Sequence, residues 1–350
     1  MRQVTLAAVQ FTCTADPEEN VEKAEGLVRE AAAGGAQIVC LPELFETEYF
    51  PVDDAGEPMH FGLARPREGH PTVARMGRLA AELGVVLPVS FFEKANTVYY
   101  NTVAIVDADG SVLGYYRKSH IPNDPGYDEK YYFSPGDTGF LTWRTQYATI
   151  GVGVCWDQWF PECARIMALR GAEVLLYPTA NGDAPVHDDV DWKPHWQVTM
   201  QGHAGANMVP VVAANRVGSE HLGRHMQTYF GSSFIAGPEG QVLVEASANR
   251  EDIVLATIDL DAAARKRSEM PFFRDRRPDL YGPLLTLDGG LGRAGEDEAH
   301  GDAGVGSAAA AGSGSGLDAP GGVPAGGAAD ARSDGEAAGG GDDAGRTAAR

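Results

Sequence analysis

Two stretches of this chain spell nearly the same β-hairpin, and that repetition limits the possible fold more than any other feature. The first runs Val103-Ala-Ile-Val-Asp-Ala-Asp-Gly-Ser-Val-Leu-Gly, the second Phe234-Ile-Ala-Gly-Pro-Glu-Gly-Gln-Val-Leu-Val. In each, apolar strand residues flank a short acidic turn containing glycine, the pattern of a tight antiparallel connection. Each hairpin sits between helix-bearing segments, so the chain reads as two similar α/β halves. Further strands are predicted over 4–10, 37–41, 85–92, 148–155, 174–177, 209–214 and 253–258, with helices over 20–33, 72–83, 161–170 and 192–208. The arrangement that buries both sheets is an α/β fold in four layers, an α-β-β-α sandwich with helices on the two outer surfaces. Both halves share that core, which makes 1–288 a single domain.

The pattern stops at Gly289. From there to Arg350 the chain holds 19 glycines in 62 residues and no aromatic residue. A segment so poor in apolar surface cannot offset the entropy of ordering it, so 289–350 is predicted to be a disordered tail. Ten acids against four arginines give that tail −6 of the formal −21, leaving the folded part near −15. An acidic surface disfavours nucleic acid and anionic membrane as partners and favours cationic ligands. No secretory signal and no apolar run of bilayer length is seen, and the four cysteines (Cys13, Cys40, Cys155, Cys163) have no framework spacing. These features point to a reducing cytoplasm. With no CxxC and no His/Cys cluster at zinc spacing, neither a structural metal nor a cofactor is expected.

Four residues could carry chemistry. Cys155, in Thr149-Ile-Gly-Val-Gly-Val-Cys-Trp-Asp, falls at the carboxyl end of a small-residue strand, where open α/β sheets present their sites. A helix starting near Pro161 is expected to favour its thiolate. Glu43, in Leu41-Pro-Glu-Leu-Phe, is a carboxylate at a strand end among apolar neighbours, the setting of a general base. Lys118, in Tyr115-Tyr-Arg-Lys-Ser-His-Ile-Pro, could stabilise a thiolate and a later oxyanion. Glu129, in Pro125-Gly-Tyr-Asp-Glu-Lys, could orient that lysine. His120 is an alternative base for Cys155, ranked below Glu43. Taken singly, each has an ordinary reading: a buried thiol, a surface acid, a basic strand end, a charged loop. Cys13, Cys40 and Cys163 keep that ordinary reading as small buried groups.

In combination and in this order, the three motifs around Glu43, Lys118 and Cys155-Trp-Asp-Gln-Trp-Phe-Pro-Glu162 resemble the nitrilase superfamily. Its members hydrolyse nitriles, amides and N-carbamoyl compounds. The resemblance extends over roughly Val4 to Leu287. It implies the four-layer sandwich and assembly into a homo-oligomer, a dimer or larger. It also implies Cys155 as nucleophile, Glu43 as general base, Lys118 as oxyanion stabiliser, Glu129 as supporting acid and the backbone N–H of Trp156 in the oxyanion hole. The segments Met200–Asn207, Phe234-Ile-Ala-Gly-Pro and Asp275–Tyr281 are similar to members that act on carbamoylated diamines, so a small cationic ureido substrate is implied. Other carbamoyl compounds, such as N-carbamoyl-β-alanine, are the alternative. One loop departs from those members: Pro178-Thr-Ala-Asn-Gly-Asp-Ala-Pro185 has Ala184 where they carry an acid. Asp183 is expected to substitute for that acid, with Asn181, Tyr49 and Trp156 as further substrate contacts.

Overall fold

The computed structural model describes residues 1–52, 56–183, 191–222 and 225–290, except for the side chains of Asp183 and His225. One sheet runs β15 (Asp252–Asp259), β1 (Gln3–Gln10), β2 (Ile38–Cys40). A bridge from Ile38 to Val86 carries this layer into an antiparallel set, β3 (Leu87–Ala95), β4 (Val98–Val106) and β5 (Val112–Arg117). The facing sheet has the order β14 (Val242–Glu245), β13 (Phe234–Ala236), β10 (Val211–Ala214), β8 (Val174–Pro178), β7 (Thr149–Val152), β6 (Thr142–Arg144). A small third sheet is formed by β11 (Val217–Leu222), β12 (His225–Phe230) and β9 (Gly182–Asp183).

Successive side chains on a strand point to opposite faces, and here that alternation sorts the layers. Leu6 and Ala8 of β1 join Val152, Val174, Leu176 and Val212 in the core between the sheets. Their neighbours Ala7 and Val9 instead meet α1 (Pro17–Ala33) and α2 (Pro71–Leu83) through Val21, Val28, Val73 and Met76. Across the molecule, Leu175 and Tyr177 turn away from the inter-sheet core toward α3 (Pro161–Leu169) and α4 (Lys193–Asn207), where they pack with Met167, Trp196 and Met200. The result is the α-β-β-α layering expected from the sequence. Local chemistry sets the helix ends. The Asp16 side chain accepts from the Glu18 N–H ahead of Pro17 at the first turn of α1, and Gly84, at φ +66°, closes α2 in the left-handed conformation.

Two differences from the sequence reading stand out. The hairpin β11–β12 and the helix α5 (Leu260–Glu269) were not anticipated, because their polar and basic residues mask any apolar period. One compact unit is Met1–Pro278. The described residues of a second unit, 279–290, contain a short turn at Gly282–Leu285. The glycine-rich stretch from 291 lies outside the described residues.

Candidate active site

Strands β7, β8 and β10 are parallel, so their carboxyl ends share one edge of the sheet. The turn after β2 reaches the same edge from the other sheet, where the Glu43 N–H donates to the Thr179 carbonyl at 3.3 Å. The chain is sharply bent at both meeting points. Leu44, next to Glu43, has φ +48°, and Cys155 itself has φ +42°. Non-glycine residues held at such angles store strain and cluster where function needs a side chain aimed. Cys155 opens a single 3-10 turn, Cys155–Trp159, ahead of α3. Gly153 permits this approach, since a Cβ there would sit 2.8 Å from the Tyr177 ring.

Glu43, Lys118, Glu129 and Cys155 are all buried, and the first three form one ionic cluster. Lys118 Nζ donates to Glu43 Oε1 at 2.8 Å and to Glu129 Oε1 and Oε2 at 2.6 and 2.7 Å. Asn101 Nδ2 also donates to Glu43 Oε1, at 2.7 Å. Among the described residues nothing donates to Glu43 Oε2, a buried carboxylate oxygen left open. The cluster has the chemistry of a base whose one oxygen is anchored and whose other is free. Burial alone would pull the Lys118 ammonium down, but the carboxylates of Glu129 and Glu43 outweigh it and hold it above the ordinary lysine value. Burial pushes the Glu129 carboxyl up to about 7, against the pull of Lys118.

Cys155 differs from the sequence expectation. Burial, reinforced by the charge of Glu43, pushes its thiol above the ordinary cysteine range, with Lys118 pulling the other way. The resting group is a thiol rather than a thiolate, because desolvation and the Glu43 charge outweigh the pull of Lys118. A thiol in that state needs a base to react. His120 is not placed to be one. Its Nδ1 lies 2.7 Å from Asp157 Oδ1, and its ring stacks on Phe160 at 3.6 Å. Asp157 is occupied with structure, accepting also from the Tyr116 hydroxyl and from the N–H groups of His120 and Val154.

Cys155 lines a cavity of about 160 Å3, together with Trp156, Asn181 and Gly182. Aromatic rings of Tyr127, Trp159, Trp192, Trp196 and Phe230 wall it, and Asp124 is the carboxylate among its described lining residues. Asn181 Oδ1 accepts from the Cys155 thiol at 3.6 Å and from Gln158 Nε2 at 3.3 Å, while its Nδ2 is buried and unbonded among the described residues. Asn215 grips the Asn181 backbone at both ends, accepting its N–H at 2.7 Å and donating to its carbonyl at 2.9 Å. Tyr49 is not at the cavity surface: it is fully buried and its hydroxyl donates to Glu129. The expected substrate contact is therefore not made by Tyr49, whose ring fills the aromatic cluster with Phe50, Tyr132 and Tyr229. The backbone of Asp183 pairs with Thr228, and its side chain, with residues 184–190, lies outside the described residues. A roomier cavity of about 340 Å3 lies beside the Glu43 turn, but neither Glu43 nor Cys155 lines it.

Several supporting groups escaped the sequence reading. Arg216, fully buried, donates to the carbonyls of Glu43 (2.9 Å), Leu44 (2.7 Å) and Thr47 (2.9 Å) and pairs with Glu220 at 2.6 Å. Gln158 links Trp196 to Asn181. The available signal was position: Asn215 and Arg216 follow a buried strand at the site edge, and Asn101 interrupts an apolar strand. Glu46, on the same turn as Glu43, has its carboxyl pushed up to about 7 by burial. The folded state then holds the proton more tightly than the unfolded chain. Stability from this group is therefore full below the ordinary value of 4.5 and is lost as pH rises through about 7. Glu46→Gln is expected to flatten chemical-denaturation stability between roughly pH 5 and 8; an unchanged slope would count against the shift.

A four-layer sandwich with a cysteine, a glutamate and a lysine gathered at one sheet edge defines a thiol-dependent hydrolase of C–N bonds. The chain belongs to the carbon-nitrogen hydrolase family, whose model matches residues 5–268. It is 56% identical over 291 residues to the N-carbamoylputrescine amidase of Oryza sativa subsp. japonica, covering 82% of this chain and 96% of that relative. It is 47% identical over 285 residues to the citrullinase of Francisella tularensis, covering 81% and 99%. The solved carbon-nitrogen hydrolase from Helicobacter pylori superposes with a TM-score of 0.76 at 39% identity, covering 81% of this chain and 99% of that one.

Proposed function

We propose that the protein hydrolyses the ureido C–N bond of N-carbamoylputrescine, giving putrescine, ammonia and carbon dioxide in polyamine metabolism. The observation that carries the chemistry is the buried Glu43 carboxylate, with Oε1 tied to Lys118 and Asn101 and Oε2 open, acting on a thiol that is protonated at rest. Glu43 takes the S–H proton as the Cys155 sulfur attacks the ureido carbon. The negative charge developing on the ureido oxygen is held by the Lys118 ammonium and the Trp156 N–H. Collapse breaks one C–N bond, and the departing amine takes its proton from Glu43. Water, deprotonated by the same carboxylate, then adds to the carbonyl bound to sulfur. A second collapse frees the thiol and releases a carbamate, which loses carbon dioxide to leave the second amine. Glu129 keeps Lys118 charged and aimed.

The choice of amine rests on the relatives and on the cavity. Its described lining has aromatic faces, the carboxylate of Asp124 and the imidazole of His195 but no lysine or arginine, which suits a cationic tail better than the α-carboxylate of citrulline or the carboxylate of N-carbamoyl-β-alanine. Ammonia release across these three substrates is the test. N-carbamoylputrescine is expected to exceed the other two in kcat/KM by at least about tenfold, the factor set by one unpaired charge. Equal or greater activity on citrulline would transfer the assignment to the ureido amino acid.

The same proposal takes the protein to be a cytoplasmic homo-oligomer. The neighbouring helices α3 and α4 leave Ile166, Leu169 and Val198 exposed, which supports a self-association face. Light scattering reads the mass directly.

A further inference from the structure

We infer that Asp124 is the counter-ion for the distal ammonium of the substrate, and that the aromatic wall below it takes the alkyl stem. This inference rests on the reading of a cationic ureido substrate. Cys155 is 1% exposed, whereas Asp124, lining the same cavity, is exposed at its solvent side. A linear molecule with an uncharged reacting group at one end and a cation at the other matches that polarity. The ureido group meets the buried thiol, and the ammonium stays where water and a carboxylate both reach it. Between these ends the lining is mainly aromatic faces, which pack on methylenes and attract a cation.

Asp124 is also held in place, as a recognition group must be. The Tyr127 N–H donates to the Asp124 carbonyl at 2.7 Å, closing a tight turn. Tyr127 then fastens that turn across the cavity. Its hydroxyl accepts from the Gly182 N–H at 2.8 Å and donates to the Gly182 carbonyl at 3.2 Å. Gly182 has no freedom to drift, since it pairs with Tyr229 and any Cβ on it would lie 2.2 Å from the Thr228 carbonyl oxygen. It directly follows Asn181, which touches the Cys155 thiol. The rim carboxylate is therefore tied through two residues to the wall of the reacting centre, so the spacing between charge and nucleophile is built in.

The test uses the full-length protein and its Asp124→Asn variant, with Asp183→Asn as comparator. Calorimetric titration with putrescine reads the subsite without turnover. Asp124→Asn is expected to weaken putrescine binding roughly tenfold, as loss of a charged hydrogen-bond acceptor does, and by more than Asp183→Asn does. In ammonia-release assays the same variant should raise KM for N-carbamoylputrescine with kcat kept, and leave N-butylurea, the uncharged analogue, unaffected. Unchanged putrescine affinity in Asp124→Asn, or no putrescine binding to the wild type, overturns the inference, as does a larger loss in Asp183→Asn. If putrescine binding depends on Asp124 yet the wild type releases no ammonia from N-carbamoylputrescine, the subsite stands and the proposed reaction falls.

Discussion

Lys118→Met lowers ammonia release from N-carbamoylputrescine by at least about 10³-fold in kcat, the loss expected when an oxyanion donor is removed and the base beside it is disturbed. The argument begins with charge. Lys118 is the cation between two buried carboxylates, donating to Glu43 at 2.8 Å and to Glu129 at 2.6 Å. Methionine keeps the length of the side chain but leaves Glu43 and Glu129 facing each other without it. Breaking a buried ion pair by removing one partner costs about 3–5 kcal/mol, so the variant also melts lower. That loss shrinks in acid. Without the lysine the buried Glu129 carboxyl takes up its proton more readily when folded than when unfolded, so stability recovers as pH falls.

A second substitution separates catalysis from stability. Lys118→Met with Glu129→Gln removes one of the two opposed charges and should regain part of the lost stability. Turnover should stay absent, because no ammonium faces the ureido oxygen. Thermal unfolding and ammonia release, measured on the single and double variants, check both halves. Near-normal kcat in Lys118→Met would remove the lysine from the mechanism.

The motifs around Glu43, Lys118 and Cys155 were legible for a simple reason. Each lies just past the end of a strand, β2, β5 or β7, and strand ends are where α/β sheets gather ligands. The duplicated hairpins were legible because their turns carry acidic residues and glycine between apolar runs, and they now form β4–β5 and β13–β14. What was missed has a common physical origin. Glu220 sits in β11, whose sequence Val-Gly-Ser-Glu-His-Leu has no apolar period, and nothing local says that its fourth residue is buried. Asp124 lies in a loop, and only folding carries it to the cavity of Cys155. Tyr49 was read as a substrate contact, yet its hydroxyl serves Glu129, since facing cannot be deduced where no period exists. The thiolate expected at Cys155 from the helix near Pro161 is outweighed by desolvation and by the Glu43 carboxylate.

Arg216→Met tests whether the bend at Glu43 is imposed from behind. Leu44 holds φ +48°, a conformation that costs roughly 1–3 kcal/mol and persists only where the surroundings enforce it. Arg216 is the enforcing group, since its guanidinium collects the carbonyls of Glu43, Leu44 and Thr47 in one plane. Glu220 neutralises it and accepts the Tyr49 N–H at 2.7 Å, which extends the clamp to the residue that touches Glu129. Removing the guanidinium strands a buried carboxylate and three carbonyls, a loss of about 3–5 kcal/mol that should lower Tm by roughly 10 °C. It also frees the turn, and a displacement of about 1 Å at a reacting group costs on the order of 10²-fold in rate. Arg216→Lys keeps the charge but lacks the planar fork, so it should recover stability better than kcat. The decisive variant is Arg216→Met with Glu220→Met. An apolar pair of similar volume can restore much of the stability without restoring the clamp. If kcat recovers along with Tm in that double variant, Arg216 merely holds the fold together; if Tm returns and kcat stays low with KM little changed, the guanidinium positions the base.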